Sequence, residues 1–92
     1  MPKKSKLQRA KEAVDEYLRA HSHTRYIMLY TISVIADRAA GRELFKSLYD
    51  YEDLVPGRTR WIEAKDLDQE TLCGGLGGSF LVVENPYYRK TA

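Results

Sequence analysis

The sequence predicts an α+β fold in which three N-terminal helices are followed by a two-stranded antiparallel ribbon, within one domain spanning residues 1–92. Three observations predict it. An apolar stripe at helical spacing runs from Leu7 to His21, and the pattern changes to alternation after Pro56-Gly57. A β-type run, Phe80-Leu81-Val82-Val83, is then closed by Asn85-Pro86.

The first helix is expected from Ser5 to His21. Ser5 and Gln8 have capping-box spacing, and Leu7, Ala10, Val14, Tyr17, Leu18 and His21 recur at three- and four-residue steps. Asp15 and Arg19 stand four apart on the polar side.

The segment 24–40 carries two patterns. Ile27, Thr31, Ile32, Val34 and Ile35 are β-branched and suit a strand, whereas Met28, Ile32, Ile35, Ala36 and Ala39 share a helical face. Arg38 followed by Gly41 makes a good helix ending, which favours a central, buried helix over a strand.

Leu44, Phe45, Leu48 and Tyr49 mark a third helix running to about Tyr51. After the Pro56-Gly57 turn, 58–63 reads as one strand and 79–84 as a second, apolar on both faces. Between them a short helix capped by Asp66, with Leu67 and Leu72 inward, leads into the glycine-rich stretch 73–78. This is the element order of a winged helix, with a connection between the strands longer than a usual wing.

Composition narrows the function classes. Hydrophobic residues make up 43% of the 92, enough for one core. A chain this short has little interior to give up to a deep pocket, which favours a non-catalytic protein working through its surface. Cys73 is the only cysteine, so no internal disulfide can form; Met1-Pro2-Lys3-Lys4 leads into no apolar signal, and the apolar run 26–36 is too short to span a bilayer. A cytoplasmic setting, with no membrane partner, is the expectation.

The net charge is only +2, but it is unevenly distributed. Lys3, Lys4, Lys6, Arg9 and Lys11 crowd the start, forming a basic arm (1–6) that runs into the first helix. Off the apolar stripe, such cations can neutralise phosphates, or can serve as a solvated tail balancing an acidic middle. Arg58 and Arg60 share one face of their strand and Trp61 the other, so the arginines suit phosphate or carboxylate recognition. The plainer arrangement pairs them with Asp50, Glu52 or Asp53 and puts Trp61 in the core. Arg89 and Lys90 add cations beside Tyr87 and Tyr88 in the C-terminal tail (85–92).

Tyr49-Asp50-Tyr51-Glu52-Asp53 places acids at an expected helix C-terminus, against the helix dipole, unless that helix stops earlier. The segment could meet a basic partner, or the arm of a second copy in a homodimer. His21 and His23 are too few to fill a metal coordination sphere, and no metal or cofactor is expected. The glycines of 74–78 enter a strand and lack the lysine of a phosphate-binding loop. Cys73 has no nearby base in sequence to activate it.

The expectation is therefore a small regulatory binding protein that uses Lys3, Lys4, Lys6, Arg9, Lys11, Arg58, Arg60, Arg89 and Lys90 to contact nucleic acid. The alternative is an adaptor or inhibitor, in the style of a phage antagonist, docking on a larger protein machine. It would use Tyr49, Asp50, Tyr51, Glu52, Asp53, Trp61, Tyr87 and Tyr88.

Overall fold

The strand Ser79–Glu84 (β3) forms the middle of a three-stranded antiparallel sheet, with Tyr26–Met28 (β1) on one side and Thr59–Glu63 (β2) on the other. In this computed structural model, residues 5–63, 65 and 78–89 are described. The strands are interleaved with three helices: Lys6–Ala20 (α1) precedes β1, Leu29–Ala40 (α2) follows it, and a 3-10 helix, Leu48–Leu54, precedes β2.

α1 forms where its local signals place it. The Ser5 hydroxyl accepts the Gln8 N–H at 3.0 Å, while the Gln8 side chain donates to Glu12 instead of closing the other half of the capping box. Ala10, Val14 and Leu18, four residues apart, form the buried line of the helix. α2 buries Leu29, Ile32, Ser33, Ala36 and Ala40 and ends at Gly41. Gly41 has φ +74° and donates to Asp37 O at 2.8 Å, a left-handed ending that glycine adopts without a Cβ penalty.

The two-stranded ribbon expected from the sequence is corrected to three strands. Segment 24–40 is divided between strand and helix: Tyr26–Met28 pairs with Glu84, Val83 and Val82, and the chain turns into α2 at the next residue, with the β-branched Thr31, Ile32, Val34 and Ile35 inside the helix. A third correction concerns the helix expected over residues 44–51. Asp37 Oδ1 takes the Leu44 N–H at 3.2 Å and the Tyr51 hydroxyl takes the Phe45 N–H at 3.3 Å. With those donors satisfied by side chains, the turn starts later, at Leu48, and winds as a 3-10 helix.

β3 is apolar on both faces because both are covered. Leu81 and Val83 face the helices, joining Val14, Leu18, Ile27, Leu29, Ile32, Tyr51 and Leu54 in the main core. Val82, between them, faces the other way and packs with Tyr26 and Ile62, flanked by Met28 and Phe80. No helix among the described residues is long and apolar enough to cross a membrane. The short helix expected after Asp66, the 73–77 part of the glycine-rich stretch and Cys73 lie outside the described residues.

Candidate anion interface

At the end of the sheet where β3 leaves it, three arginines converge on one carboxylate. Glu84 N–H donates to Arg58 O at 2.8 Å, and Asn85 N–H donates to Arg25 O at 2.7 Å. These main-chain bonds set Arg25 and Arg58 on opposite sides of β3. Arg60 pairs with Val82, two residues before Glu84, so it leans on the same carboxylate along the diagonal of the ladder. The resulting N···O distances to Glu84 are 3.6 Å for Arg25, 4.0 Å for Arg58 and 3.8 Å for Arg60.

This arrangement leaves a surplus. Three guanidinium groups face one carboxylate, and each carries five N–H donors. The contacts are long and the arginine side chains are about half exposed, so each ion pair contributes no more than ~1 kcal/mol. Donors and charge remain for a ligand anion. Beneath them lies the Tyr26 ring, with the Arg25 guanidinium 4.9 Å and that of Arg60 5.7 Å from its centroid. Cation–π contact with this buried ring keeps the two guanidinium groups close to the sheet.

The C-terminal tail extends the cluster. Arg25, Arg58, Glu84, Asn85, Pro86 and Tyr88 line an open groove of about 410 Å³. A second groove of about 470 Å³, lined by Arg19, Ser22, Pro86, Tyr87, Tyr88 and Arg89, shares Pro86 and Tyr88 with the first. The tail is fixed there by Arg89 N–H donating to Ser22 O at 3.0 Å. Arg19 lies over the Tyr87 ring at 4.8 Å and pairs with Asp15 at 2.9 Å. The Tyr87 hydroxyl donates to Asp15, and this bond, reinforced by Arg19, holds the Asp15 carboxyl below its usual range against the opposing effect of desolvation. Asp15 in turn raises the Arg19 guanidinium above its ordinary value.

Of the cations singled out in the sequence, the structure groups Arg58, Arg60 and Arg89 at this end. Lys6, Arg9 and Lys11 are exposed on the first turns of α1, and among the described residues they form no ion pair. They are not brought to the arginine cluster, because Arg9 and Arg19 are separated by about 15 Å along the helix axis. Lys3, Lys4 and Lys90 lie outside the described residues. Arg19, Arg25 and Glu84 were not legible as site residues: main-chain pairing along β3 brings Arg25 to Glu84, and the packing of Tyr87 against α1 brings Arg19 alongside. The one local cue was Arg25 standing directly before the β-prone Tyr26-Ile27.

Two plainer expectations, one of pairing and one of burial, are corrected. Arg58 and Arg60 meet Glu84 rather than Asp50, Glu52 or Asp53. Trp61 is 59% exposed and not a core residue; the buried side chain of β2 is its neighbour Ile62, on the other face, packed with Tyr26 and Val82. Among the aromatic candidates for protein contact, Tyr51 is withdrawn from the surface: it is 3% exposed and its hydroxyl donates to Asp37 at 2.5 Å. Tyr49 and Tyr88 are exposed, and Tyr87 is half-buried against Asp15 and Arg19. Asp50 sits in the first turn of the 3-10 helix, not at a helix C-terminus, so the conflict with the dipole disappears for that residue. His21 closes α1, its Nδ1 2.8 Å from Tyr17 O and its ring stacked on Tyr17 at 3.9 Å. Comparison with known proteins found no matching family model, no matching curated protein and no matching solved structure.

Proposed function

We propose that this chain is a non-catalytic regulatory binding protein that contacts nucleic acid through the arginines around Glu84, with the basic arm and first turn of α1 as a second, separate contact. The observation that carries the reading is the convergence of Arg25, Arg58 and Arg60 on one carboxylate, with charge and donors in excess of what that carboxylate takes. A phosphodiester supplies acceptor oxygens suited to guanidinium forks. The element order, with β1 between α1 and α2 and the sheet order β1-β3-β2, supports a winged-helix-like frame for it.

The test is a salt titration. Affinity for a labelled nucleic acid should fall steeply with salt, and Arg25→Ala, Arg58→Ala and Arg60→Ala should each flatten the slope by about one. Absence of binding to any strand or duplex at low salt removes the proposal.

A second reading, an adaptor or inhibitor docking on a larger protein, is favoured by a different feature. Tyr30 and Tyr49 are 65% and 58% exposed, and Tyr49 lies in a 3-10 helix carrying Asp50, Glu52 and Asp53. That reading requires one stoichiometric protein partner in a pull-down, lost on Tyr49→Ala or Trp61→Ala. A pull-down with nothing above background excludes it.

A further inference from the structure

We infer that the two grooves meeting at Tyr88 form one continuous track for single-stranded nucleic acid, in which guanidinium groups hold phosphates on either side of a base stacked on the Tyr88 ring. The inference rests on the nucleic-acid reading above and specifies which form of nucleic acid is bound, and where.

The track has cations at both ends and an aromatic in the middle. Arg25 and Arg58 line one groove, Arg19 and Arg89 the other, and Tyr88 with Pro86 borders both. Arg89 is exposed and, among the described residues, has no carboxylate partner. Tyr88 is exposed, while its N–H donates to Asn85 O at 3.1 Å, so the backbone beneath it is held in place. Cations flanking an exposed ring along a groove are the elements of single-strand recognition, because every unpaired base has a face to stack and every nucleotide a phosphate to neutralise.

Duplex recognition asks for different parts. A helix entering the major groove needs length and a surface that does not repel phosphates. The helix standing between α2 and β2 has seven residues, is of 3-10 type, and carries Asp50, Glu52 and Asp53. Its charge opposes approach to a duplex, whereas the groove around Tyr88 has the opposite charge and offers a ring that a paired, stacked base cannot use.

The test uses the full chain, a fluorescently labelled single strand of about 12 nucleotides and the same sequence as a blunt duplex. The single strand should bind more tightly than the duplex. Tyr88→Ala should weaken single-strand binding at least about fivefold with the salt slope unchanged, and Tyr88→Phe, which keeps the ring, should bind like the wild type. Arg25→Ala and Arg89→Ala should each weaken binding and flatten the slope. Equal or tighter binding of the duplex overturns the inference, as does wild-type affinity in Tyr88→Ala when Arg25→Ala is impaired. Both outcomes leave the broader reading standing. If neither form binds at low salt, the broader reading and this inference fail together.

Discussion

The side-chain amide of Asn85 donates to the main-chain carbonyl of Leu18 at 2.9 Å, tying the residue after β3 to the last turn of α1. The same nitrogen lies 2.9 Å from His21 O and 3.2 Å from Thr24 O, so one buried amide, with two N–H donors, sits among carbonyls at and just beyond the end of α1. Its Oδ1 accepts the Tyr87 N–H at 2.9 Å, which launches the tail toward Asp15 and Ser22. Asn85 thereby positions both α1 and the Tyr88 segment. Asn85→Ala should cost about 1–3 kcal/mol, the range for leaving a buried polar group unsatisfied, read as a lower urea midpoint with an unchanged m-value. Asn85→Asp should be at least as damaging, since a carboxylate would face the same carbonyls. Wild-type stability in both variants would remove the clamp.

Tyr51 gives stability an alkaline limit. Burial first, and then the hydrogen bond to Asp37, raise its hydroxyl above the ordinary tyrosine value. A group whose folded pKa is raised contributes stability that is complete below its unfolded pKa, about 10, and is lost as pH climbs through the folded one. Tyr51→Phe should cost about 1–2 kcal/mol at neutral pH by removing one of the two bonds to Asp37 Oδ1 and leaving the Phe45 N–H without its acceptor. The difference between wild type and variant should shrink above pH ~10. Urea melts at pH 7 and above pH ~10 check this, and a pH-independent difference would contradict it.

What could be read from the sequence follows the range of the forces. α1 was legible because its cap and stripe lie within a few residues of each other, and β3 because four consecutive apolar residues are bounded by breakers. β1 was not: three residues become a strand only because β3 offers a register, and nothing nearby in sequence marks Tyr26–Met28 off from the helix that follows. The third helix was misplaced for a related reason, since Asp37 and Tyr51 capture the amides of Leu44 and Phe45 from a distance. In the site, Arg58 and Arg60 stood out as a pair, but their carboxylate, Glu84, is chosen by strand pairing.

Trp61 supplies a direct check on which side chains of β2 are buried. As the only tryptophan, 59% exposed, it should be quenched readily by iodide in the native state. Trp61→Ala should cost under about 1 kcal/mol, far from the 3–5 kcal/mol of a buried tryptophan. A blue-shifted, protected emission with a large loss of stability would place the side chain in a core instead.

Glu84→Gln separates the role of the carboxylate in the fold from its role at the site. The three ion pairs it makes are long and about half exposed on the arginine side, so removing the charge should change stability by less than about 1 kcal/mol. The amide keeps the shape and the main-chain bond to Arg58 O, so the strand register should survive. Binding should respond in the opposite sense to the loss of any arginine. With its internal competitor neutralised, the cluster offers one more net positive charge to a phosphate, and single-strand affinity at low salt should rise. The salt slope should steepen at the same time, by up to about one. Combining Glu84→Gln with Arg25→Ala restores the charge surplus, so the double variant should return toward wild-type affinity. If Glu84→Gln instead weakens binding while the fold is intact, Glu84 is holding the guanidinium groups in their binding positions, and its competition with phosphate is refuted.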